Sequence, residues 1–177
     1  MKILGLMRHA KSDWDDLSLR DFDRGLNDRG RRGAALMGAH IAAHPAAWDH
    51  VLASPAARVR ATLDASGLAL PVTFLDDAYM ADSTTLLSLL RDHGGEAEAL
   101  LLAAHNPGLQ ELALDLVPPE AEDDLFEEVM VKFPTAAFAV FALDIDDWAH
   151  CTPGCGRLTH FVRPRDLDPE LGPDRRG

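Results

Sequence analysis

The sequence predicts an α/β fold, a three-layer αβα sandwich whose sheet is mostly parallel and gains an antiparallel edge strand late in the chain. Three observations carry that expectation. Short apolar runs alternate with stretches of helical spacing four times between Lys2 and Leu116. One of those runs, Ala99 to Ala104, is apolar without interruption, as a strand covered on both faces must be. Two later strand-like segments, Ala136 to Leu143 and Leu158 to Val162, supply the antiparallel part.

Taken in order, the chain opens on an apolar run from Lys2 to Met7 that breaks off at Arg8-His9. Residues 13–26 are polar and irregular, a long surface loop directly after that pair, and such loops at strand ends line binding sites. Asn27 is placed to cap a helix with Ala34, Met37, Gly38, Ile41 and Ala42 on one face. That helix stops near His44-Pro45, because the ring of Pro45 cannot continue it. Val51 to Ala53 is a short second strand. Ser54-Pro55 then has the form of an N-cap followed by proline at the first helical position, opening a helix that carries Arg58 in its first turn and ends at Gly67. Pro71 to Leu75 is a third strand, followed by an acidic loop from Asp76 to Asp82. Leu86, Leu87, Leu89 and Leu90 mark a helix that ends at Gly94-Gly95. After the Ala99–Ala104 strand come His105 and a second cap-and-proline pair, Asn106-Pro107, ahead of helical spacing at Leu109, Leu112, Ala113 and Leu116. Residues 118–128 form an acidic surface insertion. The expected division is one domain over 1–163 and a surface-hugging or frayed tail over 164–177, with no internal repeat and no linker to a second domain.

Composition narrows the function. A length of 177 residues suits one domain with a substantial core, and 47% hydrophobic with 26% charged residues is ordinary for a globular protein. No apolar run approaches the roughly 20 residues of a bilayer span, and the first residues lack a signal-peptide layout, so a cytoplasmic location is expected. The net charge of -12 repels polyanions and argues against nucleic-acid or anionic-membrane partners. In so acidic a chain, each arginine's placement is informative. Cys151 and Cys155, with His150 and His160 nearby, match no standard zinc-ligand spacing. They read as two reduced thiols in a loop, with a local disulfide as the minor alternative.

In a parallel α/β sheet the functional site lies at the carboxyl ends of the strands. Three of the four early strand exits carry Arg or His: Arg8-His9, then Arg58, then His105. The helices opening at Pro55 and Pro107 also direct free backbone N–H groups at that edge, which favours an anion. This set suits phosphoryl transfer: guanidinium groups hold equatorial oxygens in forked geometry, one histidine attacks phosphorus through a neutral ring nitrogen, and the other donates a hydrogen bond. No metal or other cofactor is required by that scheme. Each residue has a bland alternative, since His9 and His105 fit as satisfied core histidines, Arg58 as a surface helix residue like Arg60, and Arg8 as the partner of a loop acid. Requiring all four together is much less economical.

At these residues the chain resembles the histidine phosphatase (phosphoglycerate mutase-like) superfamily. The resemblance runs from Leu4 to Val162 and rests on Arg8-His9, on Leu26-Asn27-Asp28-Arg29-Gly30, on Ser54-Pro55-Ala56-Ala57-Arg58 with Thr62, and on Ala104-His105-Asn106-Pro107-Gly108. Arg8-His9-Ala10-Lys11-Ser12, the Asp21-Phe22-Asp23-Arg24 segment and His105-Asn106-Pro107-Gly108 look like the short SixA-type phosphohistidine phosphatases. The resemblance implies that His9 is the transiently phosphorylated nucleophile, with Arg8, Arg58 and His105 completing the phosphate pocket and Asn106 beside them. Ala10 departs from the glycine more common there and narrows backbone freedom by one methyl.

Larger relatives carry an acid after the third strand. Here Asp76, Asp77, Tyr79 and Asp82 are the candidates, none in a clear motif, and a solvated acidic loop is the plainer account of them. SixA-type members characteristically lack that acid, which suits a phosphoramidate whose nitrogen leaves already protonated. The absence of a large insertion before His105 leaves an open pocket. The expectation is therefore a metal-independent phosphatase acting on a phosphorylated protein, for example a histidine-containing phosphotransfer domain. The alternatives are a phosphatase of a small phosphate ester and a non-catalytic phospho-ligand binding module.

Overall fold

The computed structural model describes residues 1–172. Six strands form one sheet: β1 (Lys2–Arg8), β2 (His50–Ala53), β3 (Val72–Phe74), β4 (Ala99–Ala104), β5 (Phe138–Leu143) and β6 (Gly156–Val162), in the spatial order β3-β2-β4-β1-β5-β6. The first four are mutually parallel, with Leu4 opposite Leu100 and Val51 opposite Leu101. β5 runs antiparallel to β1, and β6 antiparallel to β5. The late strands thus add the antiparallel edge expected, β6 pairing antiparallel to β5, and β5 is the strand that runs against the other five.

Alternation along the strands builds two cores. Leu4, Leu6, Leu100 and Leu102 face one way, against α3 (Ser83–His93), α4 (Gly108–Asp115) and α5 (Asp124–Val131). Met7, Val51, Leu101 and Phe138 face the other, against Met37 and Ile41 of α1 (Asp28–Ala43) and Val59 and Leu63 of α2 (Ala57–Ser66). This is the three-layer sandwich expected, and it is required because β4 is buried at every residue.

Asn27 caps α1 as expected, accepting from Gly30 N–H. Four details differ from the sequence reading. Ala42 is exposed, because the buried stripe of α1 runs through Gly30, Gly33, Ala34, Met37, Gly38 and Ile41. Ser54 is not the cap of α2: the chain turns once more after Pro55, and the helix begins at Ala57 without a side-chain cap. Asn106 likewise precedes α4 by a cis-Pro107 bond, though its Oδ1 still accepts from Gln110 N–H at 3.3 Å. The acidic stretch 118–128 is not only surface loop, since Asp123 caps α5 inside it and Phe126 and Val129 bury there. The C-terminal segment forms a short helix, α6 (Pro164–Leu167), and hugs α1 through Arg32, which pairs with Asp168 and Glu170. Residues 173–177 of the expected tail lie outside the described residues.

Candidate active site

The parallel topology puts the exits of β1, β2 and β4 side by side, and the four singled-out side chains meet there. The His9 and His105 rings lie with centroids 5.3 Å apart. Both are buried, 6% and 2% exposed, and Arg58 is 4% exposed. Burial is the largest influence on each imidazole, and the positive charges around them add to it. His9 is lowered from 6.5 to about 4, with Arg8 and Arg58 adding to burial and the Ala10 carbonyl and Asp21 opposing it. His105 is lowered to about 3, with Arg58 the largest charge acting on it. Arg8 is also held below its ordinary value, first by burial and then by Arg58. Two guanidinium groups and two neutral imidazoles therefore share one pocket.

His9 Nδ1 lies 2.8 Å from the Ala10 carbonyl oxygen. A carbonyl only accepts, so in the neutral ring Nδ1 carries the proton and Nε2 the lone pair. Ala10 N–H donates to Thr62 Oγ1 at 2.9 Å, and Thr62 Oγ1–H donates to the Arg58 carbonyl at 2.7 Å. One hydroxyl thus ties the backbone after the nucleophile to the helix that carries Arg58. The Ala10 methyl is buried against the cluster of Leu26, Ala34 and Ala136, so its departure from glycine is absorbed as core.

Arg8 Nη1 donates to the Phe133 carbonyl at 3.2 Å, and Asn106 Nδ2 donates to the same oxygen at 2.8 Å. Asn106 thereby ties the segment before β5 to the exit of β4. Arg8 Nε and His105 Nδ1 are buried without a hydrogen-bond partner in the protein, so two polar atoms of this cluster are left uncommitted by the fold.

Of the four acid candidates, only Tyr79 reaches the site, its ring edge-on to His105 at 5.5 Å. Asp82 caps α3 through Thr85 N–H, and Asp76 and Asp77 are exposed in a short 3-10 turn. The acid that does reach the site is Asp21, from the loop after β1. Arg58 Nη1 donates to its carbonyl at 2.8 Å and Nη2 to its Oδ2 at 3.0 Å, while Tyr79 O–H donates to the same Oδ2. The Tyr79 bond and then Arg58 hold Asp21 below the ordinary carboxylate value, against burial. Burial first, and then Asp21, push Tyr79 up. At neutral pH the pair is an anion and a phenol, without an acid poised to give up a proton. The sequence signals Asp21 only as part of the Asp-Phe-Asp-Arg segment, and Ser54, which has the sequence form of a helix cap, is bonded instead to His105 Nε2 at 2.7 Å.

Across the Ala10–Lys11 backbone a separate cavity of about 360 Å³ is lined by Lys11, Arg29, Lys132, Arg163 and Arg165. Positive charge is therefore concentrated along this edge of an acidic chain. Among the described residues no helix is long and apolar enough to cross a membrane, and no three His, Cys, Asp or Glu side chains are grouped to hold a metal. Cys151 and Cys155 are free thiols.

A doubly wound sheet with a buried, arginine-flanked histidine pair at its carboxyl edge defines a phosphoryl-transfer enzyme. Residues 4–79 match the model of the histidine phosphatase superfamily (branch 1). An uncharacterized protein of Mycobacterium tuberculosis is 36% identical over 160 residues, covering 90% of this chain and 100% of the relative. One of Mycobacterium leprae is 33% identical over 162 residues, covering 90% and 100%. Among solved structures, a candidate phosphohistidine phosphatase SixA from Nakamurella multipartitia superposes with a TM-score of 0.83 at 28% identity, over 92% of this chain and 96% of that one. Another from Agrobacterium tumefaciens gives 0.73 at 30% identity, over 92% and 98%. The chain belongs to the histidine phosphatase superfamily, in its SixA-type group, and is a phosphatase.

Proposed function

We propose that this phosphatase works through a phosphohistidine on His9, without a metal, and that its substrate is phosphohistidine carried by a protein. The observation that carries the reading is the ring of His9, turned by the Ala10 carbonyl so that its Nε2 lone pair is free beside Arg8, Arg58 and His105. In the first step the Nε2 lone pair forms a bond to phosphorus while the bond to the leaving nitrogen breaks, its electron pair staying on that nitrogen. Arg8 and Arg58 offset the charge on the equatorial oxygens, which is the part a metal plays elsewhere. His105 donates to one of them. Water then attacks the phosphorus on His9, the N–P bond breaks, and inorganic phosphate leaves with the water's protons while the lone pair returns to Nε2.

The leaving group decides the substrate class. Asp21 is held ionised and Tyr79 protonated, so an alkoxide would depart without a positioned acid. The nitrogen of a phosphoramidate enters already protonated and does not need one. A cytoplasmic location, where both thiols stay reduced, belongs to the same reading.

The experiment is rapid-quench labelling with a radiolabelled phosphohistidine peptide, run beside a panel of sugar and nucleotide phosphates. The wild type is expected to label at His9 and to prefer the phosphoramidate, with chelator leaving the rate unchanged. His9→Ala is expected to lose label and turnover while keeping its circular dichroism. Undiminished turnover by His9→Ala, a strict metal requirement, or a preference for the esters would overturn the reading.

A further inference from the structure

We propose that Ser54 is a positioning residue that fixes His105 as the Nδ1–H tautomer, so that this ring presents a donor to the phosphoryl group. The inference rests on the reading above, in which His105 donates to the transferring phosphoryl group, and adds what makes it able to do so.

A neutral imidazole has one N–H, and either nitrogen can hold it. His105 stays neutral at working pH because burial and Arg58 lower it to about 3. Whether it can donate toward His9 therefore depends on which nitrogen keeps the proton. Its Nε2 lies 2.7 Å from Ser54 Oγ, and its Nδ1 is buried without a protein partner. Ser54 is itself fully buried.

Two assignments are possible for the Ser54–His105 contact. If Nε2–H donates to Oγ, the serine proton is left without an acceptor in a buried place, and Nδ1 keeps a lone pair where the proposed scheme needs a donor. If Oγ–H donates to Nε2, the serine hydroxyl is satisfied on both sides, because Ala56 N–H donates to the same Oγ at 3.3 Å. The second assignment leaves only Nδ1–H unpaired, and an oxyanion satisfies it. Leaving a buried polar group unpaired costs more than a typical bond contributes, so the second assignment is selected.

The turn that keeps Ser54 out of the helix is what makes this possible. Ala56 N–H reaches back to Oγ across the turn, α2 begins only at Ala57, and the hydroxyl is left free to point at β4's exit. His9 and His105 are then the same tautomer used from opposite sides. His9 turns its Nδ1–H to a carbonyl and offers a lone pair; His105 turns its lone pair to a hydroxyl and offers its N–H.

Heteronuclear NMR of histidine-labelled protein near neutral pH reads the tautomer directly. The wild type is expected to show His105 protonated at Nδ1, and Ser54→Ala to shift the population toward Nε2–H. Ser54→Ala is also expected to lower kcat/KM on the phosphohistidine peptide by roughly 10- to 100-fold, less than losing an electrostatic donor outright. In a His105→Asn background, where an amide donates whatever Ser54 does, the same change is expected to have no further effect. A wild-type His105 protonated at Nε2 overturns the proposal, and needs no variant to fold. Additive losses in the double variant overturn it too. Failure of His9 to take up phosphate overturns the phosphatase scheme but leaves the tautomer result standing, so the two can be told apart.

Discussion

Asp21 holds a negative charge on Arg58, the guanidinium that the proposed mechanism assigns to the phosphate. The Asp21 side chain is 49% exposed and Arg58's is 5%, so the carboxylate is the partner able to move. Asp21→Asn is expected to lower the inhibition constant for inorganic phosphate by roughly 5-fold, the scale of an ion pair with one exposed partner. A weaker inhibition in this variant would show instead that Asp21 holds Arg58 in place. The residues of the pocket differ in how far the sequence revealed them. Arg8, His9, Arg58 and His105 were legible because each follows a strand-like run, and parallel topology forces such exits together. Asp21, Ser54 and Thr62 stand in the segments that carry the resemblance, but what each one holds was not legible, because their contacts span 37, 51 and 52 residues.

α1 shows what an element contributes beyond its stripe. Its Gly38 lies so close to α2 that a Cβ there would sit 1.9 Å from the Ser66 carbonyl oxygen. Gly38→Ala would gain about 1 kcal/mol of helix propensity but lose more to overpacking against backbone, a net cost of about 1 to 2 kcal/mol, read as a lowered Tm. The last turn of α1 meets β6 through histidines, with His40 Nε2 and His160 Nε2 2.8 Å apart and His44 5.3 Å from His160 by ring centroids. Burial, and then the charge of His40, lower both His44 and His160. The unfolded chain therefore takes up protons more readily than the folded one. The stability these rings contribute is whole above pH 6.5 and declines as pH falls below it. His160→Gln is expected to flatten that decline in urea midpoints measured between neutral and mildly acid pH. Strands were more legible than helix boundaries, since an apolar run identifies a buried strand directly. The α5 helix was hidden by its acids, and only Phe126 and Val129 on its inner face betray it.

At the scale of the whole molecule, the acidic chain buries two histidines at a locally cationic edge, and burial first, then those positive charges, set its pH behaviour. His9 and His105 fall to about 4 and about 3 when folded, from 6.5. Each depressed pKa unit is about 1.4 kcal/mol of preference for the neutral ring. The sign follows from proton uptake: between these values and pH 6.5 the unfolded state binds more protons, so stability falls as pH drops through that window and levels off below it. With His9 as the nucleophile proposed above, activity has a related limit, since the ring keeps its lone pair down to about 4 in the free enzyme. The acid limb of kcat/KM is expected well below the ordinary histidine value; a limb near 6.5 would mean that the pocket is wetter than its burial implies.

The chain contains a single tyrosine, and it stands at the mouth of this pocket, its hydroxyl sharing Asp21 Oδ2 with Arg58 and its ring edge facing His105. Nature has thereby placed one site for a magnetic label where a reporter would be wanted. Protein grown on fluorotyrosine carries one fluorine resonance, whose ring lies beside Asp21, Arg58 and His105. That line is expected to move on titration with phosphate in the wild type and to stay still in Arg58→Ala, giving a readout of occupancy that needs neither substrate nor turnover.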